Sequence, residues 1–268
     1  MPEPFPWALR LEHEGCASIR LERSGRTFRF DPISPSEPWA ALGETPWALP
    51  IQENDVVLLT FAEHERLAST AHALRDGRRP AVVASPEILE WLGEFGDVQG
   101  GPAPQVIDGV RIESLPYTPI AYAEGVEIAY KLWSAVSGPA RAARRLLNRV
   151  RLPGGPPVVV QLTLGDRRFV HLNLALHADT PDDWLREAVD RFGGADWMLV
   201  GVDYGMEMPF LDRVERFGAR RLLVADLVSD VRREMGMPTS VLTPLVDELS
   251  ARGVDAYVFS SRSSFRFE

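Results

Sequence analysis

The stretch LEHEGCASIRLERSGRTFRFDP, residues 11–32, carries the pattern that decides the fold. Apolar and polar residues alternate along it, which is typical of half-buried β-strands. The alternation predicts strands over residues 7–13, 17–23 and 27–32. The Ser-Gly-Arg sequence at residues 24–26 predicts a tight hairpin turn between the second and third of these strands. The chain is therefore predicted to begin with three short strands.

The rest of the chain alternates between strand and helix patterns. Short apolar runs, typical of buried strands, are followed by segments with helical periodicity in both halves. Two β-sheets packed face to face with helices outside would satisfy this order, so we predict an α/β fold and a single domain over residues 1–268. Predicted elements include strands at 55–60, 81–85 and 254–260, helices from Glu63 and Pro86, and hairpins turning at Asp108-Gly109 and Gly165-Asp166.

The composition excludes several classes of protein. Hydrophobic residues make up 45% and charged residues 25% of the 268 residues, an ordinary globular balance. A formal net charge of −9 disfavours general nucleic-acid binding, because phosphate contacts need clustered Lys and Arg. The single cysteine, Cys16, cannot form an internal disulfide. The N-terminus lacks a secretory pattern, and no stretch approaches the ~18 apolar residues of a membrane span. We therefore expect a cytoplasmic protein without a transmembrane segment.

A set of residues near the N-terminus forms a motif. It comprises Gly15, Ala17, Ser18, Asp31, Pro32 and the segment NDVVLLTFAEHERL at 54–67. These residues resemble metallo-β-lactamase-fold hydrolases, especially their ascorbate-lactonase-like branch. In that family a Gly-x-Ala-Ser turn leads to a hairpin ending in Asp-Pro, and an apolar strand then runs into Thr-His-x-His-x-Asp-His. The resemblance implies a four-layer αββα sandwich of metallo-β-lactamase type.

The same resemblance reveals a departure at the residues that bind metal in the family. With Thr60 as the anchor, Phe61, Glu63, Glu65 and Arg66 stand where the family carries His, His, Asp and His. Neither a phenyl ring nor a guanidinium can ligate Zn²⁺. Arg66 would instead place a fixed positive charge in the metal pocket.

Three further ligands of the family also lack a counterpart. The region LPYTPI at 115–120 contains no His, Leu174 is the expected occupant of the bridging Asp position, and LLVADL at 222–227 offers only Asp226. We therefore expect no metal cofactor and no chemistry through metal-activated water. The alternative is one divalent metal held by a rebuilt site.

The turn after Thr60 carries the residues most suited to chemistry. Glu63, His64 and Glu65 are the best candidates for a catalytic role, either holding one metal or acting as acid and base. A solvated helix start, where acidic residues favour the positive end of the helix dipole, is the simpler interpretation of all three. The expected ligand-binding residues around this pocket are Arg66, Tyr117, Tyr204 and Asp226.

A second group of polar residues follows later strands. His171 and His177 flank a predicted strand, with Asp179, Asp203 and Asp226 near strand ends. On a straight strand the two histidines would lie about 20 Å apart and could not share one ion. Structural or solvated roles are therefore favoured for both.

The basic segment SGPARAARRLLNRVRLPGG, residues 137–155, is unusual in an acidic protein. It predicts an inserted amphipathic helix whose polar face carries Arg141, Arg144, Arg145 and Arg149. That face is suited to docking on an anionic ligand, a lipid surface or a partner, including a second copy of the chain. Pairing with the surplus acids of the protein explains it equally simply.

Three functions follow from these observations. The leading interpretation is a non-catalytic ligand-binding or interaction module with the metal site lost, which would bind a small molecule or a protein. The second is a metal-dependent hydrolase with a rebuilt carboxylate-rich site that uses Mn²⁺, Mg²⁺ or Zn²⁺. The third is a scaffold that docks through its Arg-rich helix.

Overall fold

The computed structural model describes most of the chain, with gaps. Its described residues are 9–15, 17–23, 25–33, 51–62, 64–119, 153–177, 179–203, 207–227, 229 and 238–267. Within these ranges the side chains of residues 9, 64, 65, 207–209 and 267 are not described. Most of the basic segment predicted at 137–155 lies outside the described residues.

The first sheet has seven strands and contains the N-terminal motif. Strands β14, β1, β2 and β3 pair antiparallel, and β3 to β6 pair parallel. The predicted hairpin is confirmed, because Arg23 pairs with Arg26 across a two-residue turn. In spatial order the strands are β14 (Ser264–Phe267), β1 (Leu9–Gly15), β2 (Ser18–Arg23), β3 (Arg26–Phe30), β4 (Asp55–Leu58), β5 (Ala81–Val83) and β6 (Gln99–Gly101).

The second sheet repeats this plan with seven strands. Strands β7 to β10 pair antiparallel and β10 to β13 pair parallel. Both predicted hairpins are confirmed, and Asp108 and Gly109 adopt the positive φ angles, 49° and 74°, of a tight two-residue turn. In spatial order the strands are β13 (Ala256–Val258), β12 (Arg221–Ala225), β11 (Trp197–Gly201), β10 (Arg167–His171), β9 (Val158–Leu164), β8 (Val110–Pro116) and β7 (Gln105–Ile107).

Helices cover the outer faces of the two sheets. Ser85 caps the second helix by accepting a hydrogen bond from the Ile88 amide, and proline occupies its first turn. None of the helices among the described residues is long and apolar enough to cross a membrane. The helices are α1 (His64–Arg75), α2 (Pro86–Gly93), α3 (Asp182–Phe192), α4 (Glu207–Val214), which continues as a 3-10 turn at Glu215–Phe217, and α5 (Leu242–Ala251).

Three apolar cores hold the layers together and confirm the predicted αββα sandwich. The central core lies between the sheets, where the rings of Phe30 and Phe169 approach to 5.9 Å. A second core packs α1 and α2 on the first sheet, and a third packs α3, α4 and α5 on the second. Because both sheets are covered on both faces near their centres, the central parallel strands β4, β5, β11 and β12 consist almost entirely of buried residues.

The C-terminal strands differ from the sequence prediction. The strand predicted over 254–260 is shorter, since β13 covers only Ala256–Val258, and β14 was not predicted. Arg262 adopts a φ of 62°, which turns the chain so that β14 pairs with β1. Strand β14 has an alternating Phe-Arg-Phe pattern, but it is only four residues long and lies at a sheet edge.

Candidate functional site

Thr60 lies at the centre of a buried polar cluster at one edge of the sandwich. It follows β4 and is only 1% exposed. Its backbone amide donates to Oδ1 of Asp31 at 2.8 Å, and its hydroxyl donates to Oδ2 at 2.5 Å. The same hydroxyl accepts a hydrogen bond from Nδ2 of Asn173 at 2.8 Å. The cluster therefore links the end of β4 with residues that follow β3 and β10.

Unusual backbone conformations bring two of these side chains to Thr60. Asp31 has a φ of 43° and Asn173 a φ of 51°, both in the left-handed region. Asp and Asn tolerate this region better than other non-glycine residues, because their short polar side chains can form local hydrogen bonds. Each residue ends its strand abruptly and turns its side chain inward. Such conformations persist where the surrounding structure stabilises them, and they concentrate at functional sites.

Arg66 supplies the positive charge of the cluster. It lies in the first turn of α1, is 4% exposed, and its Nη1 donates to Oδ2 of Asp31 at 2.5 Å. Its guanidinium also lies 5.5 Å from the centre of the Phe61 ring. Burial raises the pKa of Asp31, whereas Arg66 and the hydrogen bonds from Thr60 act to lower it. Arg66 and Asp31 thus form a buried pair.

His171 lies beside this pair at the end of β10. It is fully buried, its ring is 5.1 Å from that of Phe30, and neither of its nitrogens has a hydrogen-bond partner among the described residues. Burial lowers the pKa of His171 to about 3, with smaller contributions from the charges of Arg66 and His13. The imidazole is therefore neutral at physiological pH.

The buried imidazole predicts a specific loss of stability in acid. A folded-state pKa of about 3 means that only the unfolded chain protonates His171 between its normal pKa near 6.5 and that value. Stability is thus fully present above pH 6.5 and falls as the pH decreases. From pH 7 to pH 5 the contribution is about 2 kcal/mol. Between pH 7 and pH 5, His171→Leu should therefore lose about 2 kcal/mol less unfolding free energy than the wild-type protein, as measured by urea titration. An equal loss in the two proteins would contradict the assignment.

The described residues of the cluster do not fit a divalent metal. A guanidinium cannot ligate, and its fixed charge next to Asp31 repels a cation. Among the residues that the structure describes, no group of three or more His, Cys, Asp or Glu side chains could hold an ion. Asp31, the carboxylate nearest the cluster centre, already accepts from Arg66 and Thr60.

The other predicted site residues that are described have separate contacts. Tyr117 is buried in the core under α3, with its ring 6.1 Å from that of Trp184. Asp226 is buried and accepts a hydrogen bond from the Ser240 amide at 2.9 Å. Arg66 is thus the one predicted ligand-binding residue, among those described, that these contacts place in the cluster.

His177, the second histidine of the later group, also has a contact outside the cluster. His177 contacts the carbonyl of Thr118 through Nε2 at 3.1 Å. The straight-strand spacing assumed for His171 and His177 is wrong, because β10 ends at His171 and the chain turns at Asn173.

Several predicted residues lie outside the described part of the chain. They are Glu63, Tyr204, Arg141, Arg144, Arg145 and Arg149, together with the side chains of His64 and Glu65. Their proposed roles therefore stay predictions.

Sequence reasoning did not anticipate the role of Asn173. Leu174 was the expected occupant of the bridging position, but the side chain that reaches Thr60 belongs to Asn173. Leu174 packs instead beside Gly201, where an added Cβ would lie 2.9 Å from its Cδ2. The available signal was a polar Asn inside the apolar stretch HLNLAL at 171–176, because Asn favours left-handed turns.

Known structures share this architecture. Igni18, a metallo hydrolase from Ignicoccus hospitalis, has a TM-score of 0.62 at 14% identity, covering 97% of this chain and 99% of that chain. YhfI from Bacillus subtilis, a metallo-beta-lactamase fold protein, has a TM-score of 0.60 at 11% identity, covering 97% and 99%. An isothiocyanate hydrolase from Delia radicum gut bacteria has a TM-score of 0.57 at 12% identity, covering 96% and 99%.

These similarities concern the fold alone, because the identities are too low to carry over an activity. No protein-family model and no curated protein matches the sequence.

Proposed function

We propose that this chain, which has the metallo-β-lactamase fold, is a non-catalytic descendant of a metal-dependent hydrolase and works as a binding module. Its neighbours in known structures include hydrolases that are described as metal-dependent.

One observation carries the proposal: the buried ion pair between Arg66 and Asp31. Arg66 stands at the position of the last His of the family motif and points its guanidinium at the Asp31 carboxylate. A carboxylate that is completely buried needs a positive partner, because removal from water costs several kcal/mol per ion. A tethered guanidinium supplies this charge permanently. The fold therefore keeps its buried carboxylate without depending on a bound cation.

The neighbouring polar groups support a structural role for the cluster. Thr60 and Asn173 extend the pair into a hydrogen-bonded chain that joins three strand ends across the two sheets. His171 is neutral at physiological pH and fully buried, so its imidazole presents no nitrogen to solvent. General acid and base chemistry needs a group within reach of a substrate. The cluster is thus suited to holding the sandwich edge together.

Metal analysis tests this proposal directly. Protein purified without chelator and then dialysed against Zn²⁺ or Mn²⁺ should retain well under one metal per chain when measured by plasma mass spectrometry. The matched variant Glu63→Ala/His64→Ala should give the same low value. Stoichiometric metal that is lost in this variant would overturn the proposal and favour a hydrolase with a rebuilt carboxylate site.

A further inference from the structure

A cavity of about 240 Å³ opens between the two sheets, on the other side of β4 from β3 and the Asp31 turn. It lies between the C-terminal ends of β4 and β5 on one side and strands β8 and β9 on the other. None of its lining residues belongs to the buried polar cluster of Asp31, Thr60, Arg66 and Asn173. We refer to it as the proline-rimmed cavity.

The floor and the rim of this cavity differ in chemistry. The floor is buried and aliphatic, and the exposed rim carries four prolines, which have no backbone N–H to donate. The principal floor residues are Leu58, Val83, Ile112 and Val160, and the rim prolines are Pro86, Pro102, Pro116 and Pro156. Such a lining favours hydrocarbon over water.

The mouth of the cavity carries a carboxylate. Glu87, in the first turn of α2, lines the cavity together with Ser85. The Ser85 hydroxyl donates to the Glu87 carboxylate and lowers the pKa of Glu87, so this group is ionised at neutral pH. Glu87 is exposed at this mouth, and no cation among the described residues contributes to its pKa.

A glycine lies against the Glu87 carboxylate. Gly155 has a φ of 118°, and a Cβ added to it would lie 3.2 Å from both Glu87 Oε2 and Ser85 Oγ. The preceding residue, Gly154, has open space around an added Cβ. Of these two glycines, only Gly155 lies where a side chain would contact the Glu87 carboxylate.

We propose that the proline-rimmed cavity binds a small apolar molecule that carries an ammonium group, with the hydrocarbon on the floor and the cation at Glu87. This inference deepens the proposed binding role, and rests on it in treating the bound molecule as a ligand rather than a substrate. An apolar cavity of about 150 Å³ is large enough to bind benzene. The observed volume therefore accommodates one aromatic ring with a short alkyl chain.

Three probes of equal length but different charge test the assignment. They are 2-phenylethylammonium, the neutral 2-phenylethanol and the anionic phenylacetate. In methyl NMR titrations of the wild-type protein, the ammonium probe should shift the methyl signals of Leu58, Val83, Ile112 and Val160, with a dissociation constant on the order of 1 mM. The alcohol should bind about three- to fivefold more weakly, as expected for an exposed ionic contact, and phenylacetate more weakly still.

Matched variants locate the binding. Glu87→Gln should remove the preference for the ammonium probe while leaving the alcohol unchanged. Val83→Phe should abolish binding by filling the floor.

The wild-type titration decides the inference without any variant. Absence of shifts at the four floor residues, or equal binding of all three probes, would overturn it. Neither result bears on metal content, so failure here is distinguishable from failure of the proposed non-catalytic role.

Discussion

Arg66→Met should lower the free energy of unfolding by about 3–5 kcal/mol at pH 7.5, the range for breaking a buried ion pair from one side. The variant keeps a flexible apolar side chain of similar length, so lost packing contributes little. The loss arises because Asp31, which is completely buried, remains without its guanidinium partner. Urea unfolding followed by tryptophan fluorescence measures the effect.

The loss should also depend on pH. Burial already raises the pKa of Asp31, and Arg66 is the first of the causes that oppose this. Its removal raises the pKa of Asp31 further above the value of about 3.9 in an unfolded chain. A raised folded-state pKa means that stability is present at low pH and is lost as the pH rises. Arg66→Met should therefore be more destabilised at pH 8 than at pH 5.

A second substitution separates charge from packing. Asp31→Asn in the Arg66→Met background removes the unpaired carboxylate, so the double variant should be more stable than Arg66→Met alone. A loss below about 1 kcal/mol in the single variant would contradict the buried pair, because exposed ion pairs have that magnitude. Equal loss at pH 5 and pH 8 would contradict it as well.

Local patterns in the sequence predicted most of the sandwich. Period-two alternation located β2 and β3, and Gly-containing dipeptides located the turns between paired strands. Continuous apolar runs located β4 and β5, because parallel strands covered on both faces have no polar side. These signals lie within a few residues of the element that they define.

Elements defined by distant partners were harder to predict. Strand β14 has only four residues and pairs with β1, more than 240 positions away in the sequence. Its Ser-Phe-Arg-Phe sequence alternates like that of β3, but four residues give only a short pattern. Pairing with β1 defines the strand, and the residues next to it in the sequence do not identify β1 as its partner.

The candidate site was likewise predicted only in part. The sequence predicted a fixed charge at Arg66, because the family motif placed that residue in the metal pocket. It did not predict that Asp31 would neutralise the charge, or that Asn173 would join through Thr60. Both events depend on left-handed turns at the ends of strands from different sheets. Only the packed sandwich brings those turns together.

A second buried arginine offers a comparison for Arg66. The Nε of Arg29 donates to Asp55 at 2.8 Å, and its Nη1 donates to both oxygens of Glu14 at 2.9 and 3.0 Å. The network links β1, β3 and β4 away from the candidate site. Its side chains are 4–13% exposed, so its charges are screened only weakly by solvent.

Arg29→Met should lower the free energy of unfolding by about 3–5 kcal/mol, because it leaves two mostly buried carboxylates without their cationic partner. Arg252→Met is the matched control. Arg252 contacts three carboxylates, those of Glu248, Asp212 and Glu215, but its side chain is 33% exposed. If burial rather than the number of partners decides the energy, the control should lose much less in the same urea titration. Comparable losses in the two variants would show instead that partner number dominates, and the stability argument for the Arg66 pair would fail with it.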